Sequence, residues 1–365
     1  MSSIGILYGG RSGEHDVSLC TAASILEALK GSGWEVVAIG IDRDGRWHVQ
    51  DRPVIDTHPA FKRVLRLEKT GNWYCNHFEE GGRLVLTNAD DGRRVAVDMV
   101  FPAVHGTYCE DGTLQGLLEL ARVPFVGADT LGSAIGMDKD VAKRLLRDSG
   151  IPVVSWITIT SDEWMNRKRA IVHQCEAMGF PLFVKPSRAG SSVGVGKVKE
   201  SSFLADAVEA AFRYDTKVLV ERGVDAREIE CAVLGNDDPR ASVLGEVKTR
   251  HEFYSYESKY LDPEGAELSI PADIDPGLAE EIRAAAVQAY RALCCSGMAR
   301  VDFFLDRTTG EYYCNEINTL PGFTSISMYP KLWEHTGLSY RQLVGRLIEL
   351  ALERHRARMS VMTAR

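Results

Sequence analysis

The chain has 365 residues, with 43 Lys and Arg against 51 Asp and Glu, a formal net charge of -8 and 45% hydrophobic residues. That is a globular composition long enough for two or three domains with a cleft between them, and its dispersed basic residues exclude the patch that nucleic acid or an anionic membrane requires. Eight cysteines without a CxxC pair read as reduced core residues, no apolar run approaches the roughly 20 residues that span a bilayer, and the opening MSSIGILY is no export signal, so a soluble cytoplasmic protein is expected.

Residues 4–8 form a short apolar run, followed by the loop GGRSGEHD at 9–16, a helical pattern at about 18–29 and a second apolar run at 35–41. This is a βαβ opening. The loop lacks the GxGxxG order and carries Glu14 and Asp16, which repel phosphate, so a cationic ligand group suits Glu14. A carboxylate that merely favours the helix N-terminus suits it equally. Residues 43–95 are polar and weakly periodic, with peripheral strands expected at 47–49 and 84–86. A strand returns at 97–104, ahead of the loop HGTYCEDG and a helix from about 113. Loops after the carboxyl ends of such strands carry function, which puts His105 on the same rim as Glu14; a structural histidine is the alternative.

A helical pattern at 137–147 ends at Gly150-Ile-Pro152, where a strand-rich module begins. Residues 181–186 read as a strand bearing Lys185, followed by SRAGSSVGVG at 187–196. Small residues and free N–H groups there suit phosphate oxygens, with Lys185 and Lys139 as point charges, although a plain hairpin connection also explains the loop. Further strands follow at 217–221 and 227–234, where Glu221 and Glu228 could accept from an adenine amino group and ribose hydroxyls or sit as solvated strand ends. Residues 248–268, with Tyr254, Tyr256, Lys259 and Tyr260, read as a lid. Helices from Asp275-Pro276 and from Tyr340 carry one apolar stripe each and are scaffold.

Between those helices lies the most informative stretch. Apolar runs at 301–305 and 312–314 flank a polar turn at 306–310, a β-hairpin pattern. The same strands carry Arg300, Asp302, Glu316 and Asn318, and residues two apart on a strand share a face. Two carboxylates and a carboxamide are hard oxygen ligands suited to a Mg²⁺ ion that also holds nucleotide phosphates. A structural Arg300–Asp302 ion pair is the competing reading. The turn TLPGFTS follows, whose Gly322 can bring an N–H against a ligand.

Seven blocks, GGRSGEHDVS, HGTYCEDGTLQG, MDKDVAK, VKPSRAGSSVGVGKV, YESKY, ARVDFFL and NEINTLPGFTSISMYP, together resemble the ATP-grasp enzymes, more narrowly the D-alanine:D-alanine ligases, in order and separation along nearly the whole chain. The resemblance implies an α/β (α+β) three-domain ATP-grasp fold: an N-terminal parallel-sheet α/β domain at 1–127 with the first D-alanine loops, a central domain at 128–222 with the Gly/Ser loop, and a C-terminal domain at 223–365 with the lid and metal site. It implies ATP between the central and C-terminal domains. Lys139, Lys185, Ser192 and Glu221 match nucleotide-binding positions, Glu228 the ribose contact, and Lys259 a lysine near the transferred phosphate. Asp302, Glu316 and Asn318 match the ligands of two Mg²⁺ ions, for which Mn²⁺ can substitute. The implied catalytic set is Glu14, Ser191, Tyr260, Arg300, Gly322 and Ser327. In it Glu14, helped by His105, pairs with the first D-alanine's ammonium, and Ser191 and Tyr260 tie Glu14 to the loops. Arg300 and the Gly322 N–H form the oxyanion site, and Ser327 contacts the second D-alanine's carboxylate.

The implied activity is ATP-dependent ligation of two D-alanines through an acyl phosphate, for peptidoglycan precursor synthesis and hence cell-wall biogenesis and cell shape. A cytoplasmic homodimer with no nucleic-acid or membrane partner is expected. D-alanyl-D-serine or D-alanyl-D-lactate synthesis is the rival within enzymes, with Lys259-Tyr260 arguing against D-lactate. A non-catalytic ATP-grasp nucleotide sensor is the rival outside them, and the presence of every expected ligand argues against it. One departure stands out: Cys109 replaces the usual Gly of HGTYCEDG, which would cost about 1 kcal/mol if that position needs positive φ.

Overall fold

The computed structural model describes residues 2–59, 62–76, 82–249, 266–324 and 326–361. Its first sheet is built around β1 (Ser3–Gly9), a strand buried along its whole length. Such two-sided burial suits parallel neighbours, and β1 pairs in parallel with β2 (Glu35–Ile41) and β9 (Met99–Pro102). Helix α1 (His15–Leu29) covers one face. Among the described residues, the stretch between β2 and β9 holds six short strands where two were expected: β3 (Trp47–Gln50), β4 (Ile55–His58), β5 (Lys62–Leu65), β6 (Trp73–Cys75), β7 (Leu84–Asn88) and β8 (Arg94–Val97). They are three to five residues long, too short to show alternation in sequence. β3, β6, β7 and β8 extend the sheet antiparallel, so it is mixed, in the order β8-β7-β6-β3-β2-β1-β9.

Three helices follow: α2 (Thr113–Leu120), α3 (Thr130–Met137) and α4 (Lys139–Asp148). The helical pattern at 137–147 therefore begins inside a break, because Asp138 is extended (φ -86, ψ 99) and its carboxylate accepts from the Val141 N–H at 3.1 Å to start α4. A four-stranded sheet comes next, ordered β10-β13-β11-β12: β10 (Trp156–Thr160), β11 (Leu182–Pro186), β12 (Gly196–Val198) and β13 (Lys217–Arg222), backed by α5 (Ser161–Glu176) and α6 (Leu204–Ala211). An antiparallel five-stranded sheet, β16-β15-β14-β17-β18, completes the strands of the described residues: β14 (Ala226–Gly235), β15 (Arg240–Thr249), β16 (Ala266–Ser269), β17 (Gly297–Asp306) and β18 (Tyr312–Asn318). Its helices are α7 (Pro276–Ala292), α8 (Met328–His335) and α9 (Tyr340–Met359).

Helix α4 bridges the two antiparallel sheets. Its Ala142 and Leu146 share a core with Ile229, Val301 and Ile317 of the five-stranded sheet, whereas Asp140 accepts from Trp156 Nε1 of β10 at 3.1 Å. Helix α9 ties the first sheet to the third. Leu343 and Leu347 share a core with Ile4 and Phe101, and the half-buried Arg354 donates from Nη2 to Phe125 O at 2.7 Å and from Nη1 to Ser296 Oγ at 2.7 Å.

Candidate active site

Glu14 immediately precedes α1 yet does not cap it; its carboxylate accepts a hydrogen bond from Ser191 Oγ, on the loop between β11 and β12. The loop reaches that far because Ser191 and Ser192 adopt left-handed φ of 49° and 59°. Glycine is needed on the other side, since a Cβ on Gly106, itself at φ 78°, would lie 2.8 Å from Glu14 Oε2. Ser12 Oγ donates to His105 O at 2.6 Å and joins the two N-terminal loops. His105 is buried, with Nε2 at 3.0 Å from Thr21 Oγ1 and Nδ1 at 3.1 Å from Leu320 O and 3.3 Å from Glu110 Oε1. Burial alone would lower its pKa, but the Glu110 hydrogen bond and the charges of Glu110 and Glu14 together raise it. Burial and the neighbouring Glu14 charge push Glu110 up as well.

The strain expected at Cys109 is not there. Besides Gly106 and Gly112, the left-handed residue of that loop is Tyr108 (φ 67°), one position earlier than Cys109. Cys109 donates its N–H to Gly106 O at 3.0 Å and buries its side chain beside Val104 and Leu114, so a side chain here fills the core at no backbone cost.

On the nucleotide side, Lys139 Nζ donates to Ala189 O at 2.7 Å and lies 3.7 Å from Glu316 Oε2. Lys185 Nζ donates to Glu221 Oε2 at 2.8 Å and to Asn315 Oδ1 at 3.4 Å. Glu221 is therefore no solvated strand end. It is 1% exposed, and Lys143 Nζ sits 3.3 Å from its other oxygen. Burial would raise the Glu221 carboxyl, but the two ammonium groups hold it down to about 2. Ser192 lies half-buried on the same loop as Ser191, and half-buried Glu228 stands opposite Phe304 in the β14–β17 register, with the Lys185 ammonium 5.9 Å from the Phe304 ring centre.

The β17–β18 register sets Arg300 opposite Asn318 and Asp302 opposite Glu316, and β14 adds Glu230 opposite Asp302. Arg300 donates from Nε and Nη2 to the two Asp302 oxygens, both at 2.7 Å, and its Nε is 2.9 Å from Glu230 Oε2. The ion pair considered from the sequence is thus formed. Asn318 Oδ1 is buried with no hydrogen-bond partner among the described residues, which is the state of a carboxamide oxygen reserved for a cation. Among the described residues no three His, Cys, Asp or Glu side chains converge to hold a metal by themselves. Two carboxylates and one carboxamide completed by phosphate oxygens is the donor set Mg²⁺ prefers, so the residues fit that ion.

Beyond β18, a Cβ on Gly322 would lie 3.2 Å from Ser327 Oγ, so those two positions adjoin. Ser327 Oγ accepts from the Thr324 N–H at 3.1 Å and shares a hydrogen bond with Thr324 Oγ1 at 2.7 Å. Lys259 and Tyr260 lie outside the described residues, as does most of the expected lid. The structure also brings in Ser12, Thr21, Glu110, Lys143 and Glu230, which the sequence reading did not assign. Lys143 follows Lys139 by four residues and Glu230 follows Glu228 by two, so helix and strand periodicity could have found both. A cavity of about 1330 Å³ opens elsewhere, among Asn236, Arg283, Arg346 and Arg354, and none of the expected site residues lines it.

Two antiparallel sheets bridged by one helix, with lysines, a Gly/Ser loop and a row of hard oxygen donors between them, define an ATP-grasp ligase fold. Residues 3–128 match the family model described as D-ala D-ala ligase N-terminus and residues 145–349 the one described as D-ala D-ala ligase C-terminus. The chain is 50% identical over 353 residues to D-alanine–D-alanine ligase A of Chromobacterium violaceum, covering 97% of this chain and 96% of that one. The solved D-alanine-D-alanine ligase from Coxiella burnetii is 36% identical, with a TM-score of 0.78 over 98% of this chain and 96% of its own. The VanG D-Ala:D-Ser ligase from Enterococcus faecalis is also 36% identical, with a TM-score of 0.80 over 96% and 99%. The chain belongs to the D-alanine–D-alanine ligase family. ATP and a divalent cation belong to the chemistry of such ligases.

Proposed function

We propose that this chain joins two D-alanines into D-alanyl-D-alanine, converting ATP to ADP and phosphate, for peptidoglycan precursor synthesis. The observation that carries this reading, beside the 50% identity to a named ligase, is the Glu14–Ser191 hydrogen bond. It locks an anionic pocket of the N-terminal loops to the Gly/Ser loop that flanks the lysine row. Glu14, supported by His105, receives the ammonium of the first D-alanine. Lys139, Lys185, Ser192 and Glu221 hold ATP, Glu228 takes its ribose, and Lys259 attends the transferred phosphate. The first carboxylate attacks the γ-phosphorus to give an acyl phosphate and ADP; the amine of the second D-alanine then attacks the acyl carbon and expels phosphate. Asp302, Glu316 and Asn318 would hold two Mg²⁺ ions, replaceable by Mn²⁺, which supply charge neutralisation along the triphosphate. Arg300 and the Gly322 N–H stabilise the oxyanion, Ser327 orients the second carboxylate, and a lid bearing Tyr260 excludes water from the acyl phosphate.

The three-domain division at 127 and 222, the cytoplasmic location and a homodimeric state belong to the same proposal. The net charge of -8 supports a site that works without nucleic acid or membrane. D-serine as second substrate draws on the likeness to the VanG enzyme, but at 36% identity against 50% it ranks behind D-alanine. Incubation with ATP, Mg²⁺ and equal D-alanine, D-serine and D-lactate, followed by product identification, tests the reading. Phosphate release with D-alanyl-D-alanine as the main product supports it. A predominant mixed product, or no amino-acid-dependent phosphate release, overturns it.

A further inference from the structure

Lys139 and Lys143 stand four residues apart on α4, so both point from one face of the helix. Lys139 reaches the cleft, whereas Lys143 is 1% exposed and stops behind Glu221. Its Nζ lies 3.3 Å from Glu221 Oε1 and 5.9 Å from the centre of the Trp156 ring. Beyond this ion pair, neither Lys143 Nζ nor Glu221 Oε1 has a hydrogen-bond partner among the described residues. We propose that Lys143 is a positioning residue of the nucleotide site: it fixes one oxygen of Glu221 so that the other holds Lys185 in the orientation ATP requires. The inference rests on the reading of Lys185 and Glu221 as nucleotide contacts.

The charge count carries the argument. Glu221 and Lys185 balance each other, and burying a further ammonium behind a satisfied pair is costly. The cluster of Lys143, Glu221 and Lys185 therefore holds one positive charge in surplus, which an anionic ligand would compensate. Lys143 is too enclosed to touch that ligand. With one Glu221 oxygen drawn toward Lys143, the carboxylate neutralises Lys185 less completely, and Lys185 keeps charge to offer a phosphate. Lys143 itself is pushed down by burial and by the neighbouring Lys185, against the upward pull of Glu221, as three groups sharing one dry site should be.

The test is calorimetric binding of the Mg²⁺ complex of the imido analogue of ATP, together with kcat and the KM for ATP. Lys143→Met leaves the balanced Glu221–Lys185 pair, so the protein should fold, and we expect Kd and KM to rise about 10-fold while kcat at saturating ATP changes less than about 3-fold. Lys143→Arg should recover most of the affinity. In a Glu221→Gln background the same Lys143→Met change should cost nothing or improve binding, because the carboxylate through which it acts is gone. The inference is overturned if Lys143→Met lowers thermal stability but leaves Kd within about 2-fold of the parent, or weakens binding equally in both backgrounds. Lys185→Met separates the two levels of the argument. If it binds as well as the parent, the nucleotide-site reading falls and the inference with it; if it loses affinity while Lys143→Met does not, only the role of Lys143 falls.

Discussion

Two partly buried charge clusters carry opposite surpluses. The N-terminal loops gather two carboxylates, Glu14 and Glu110, around one imidazole, His105. The cluster behind the Gly/Ser loop gathers two ammonium groups, Lys143 and Lys185, around one carboxylate, Glu221. A fold that desolvates charges unequally does so where a ligand restores the balance. On the proposed function, the anionic surplus would select an ammonium, as an amino acid presents, and the cationic surplus a polyphosphate. On a third face Arg300 is forked onto Asp302 and Asn318 Oδ1 has no hydrogen-bond partner among the described residues, a donor set that would suit a cation.

The largest effect should come from that third face. Glu316→Gln removes one of two carboxylates available to the metal and should reduce kcat/KM by about 10²- to 10³-fold without unfolding a half-buried position. Near-parental rates at ordinary Mg²⁺ would place the metal elsewhere. Arg300→Lys should come next, with kcat down by about 100-fold and KM for D-alanine nearly unchanged, because an ammonium cannot copy the guanidinium fork. A rise confined to KM would make Arg300 a ground-state contact.

A smaller and more local effect follows from the anionic cluster. Glu110→Gln removes the main group that lifts His105 and leaves its burial, so the His105 ring, followed by NMR, should titrate at lower pH than in the parent. An unchanged midpoint would mean that Glu110 does not set the state of His105. The sign for stability is fixed by the raised folded pKa: the His105 contribution is fully present below its ordinary value of 6.5 and is lost as pH rises through the elevated folded value. The raised Glu110 adds a penalty in the same direction, above its ordinary value of 4.5, so stabilisation from this pair fades toward alkaline pH. Denaturant midpoints from pH 6 upward should therefore fall less steeply in Glu110→Gln than in the parent.

Periodicity showed how much of this was legible beforehand. The β1–α1–β2 opening and the hairpin runs at 301–305 and 312–314 carry strong apolar patterns, and alternation put Arg300 with Asp302, and Glu316 with Asn318, on one side of each strand; the register that sets the two pairs opposite each other came from the fold. The strands between β2 and β9 were not legible, because pieces of three to five residues are held by neighbours distant in sequence. The partners of His105 show the same limit. Thr21, Glu110 and Leu320 meet it from three separate segments, and only the fold brings them together. The position of the strain in HGTYCEDG also depended on the fold, since a left-handed Tyr108 is no more expected from its side chain than a left-handed Cys109.

The division of labour between the two clusters is tested most directly by a crossed measurement of KM for D-alanine at the first site and for ATP in Glu14→Gln and Lys185→Met, read as phosphate release. Glu14→Gln should raise the D-alanine value about 100-fold, the cost of losing a desolvated charge partner, and leave the ATP value within about 2-fold. Lys185→Met should show the reverse pattern. If both variants weaken both substrates equally, the charge surpluses do not assign the ligands, and the account is contradicted.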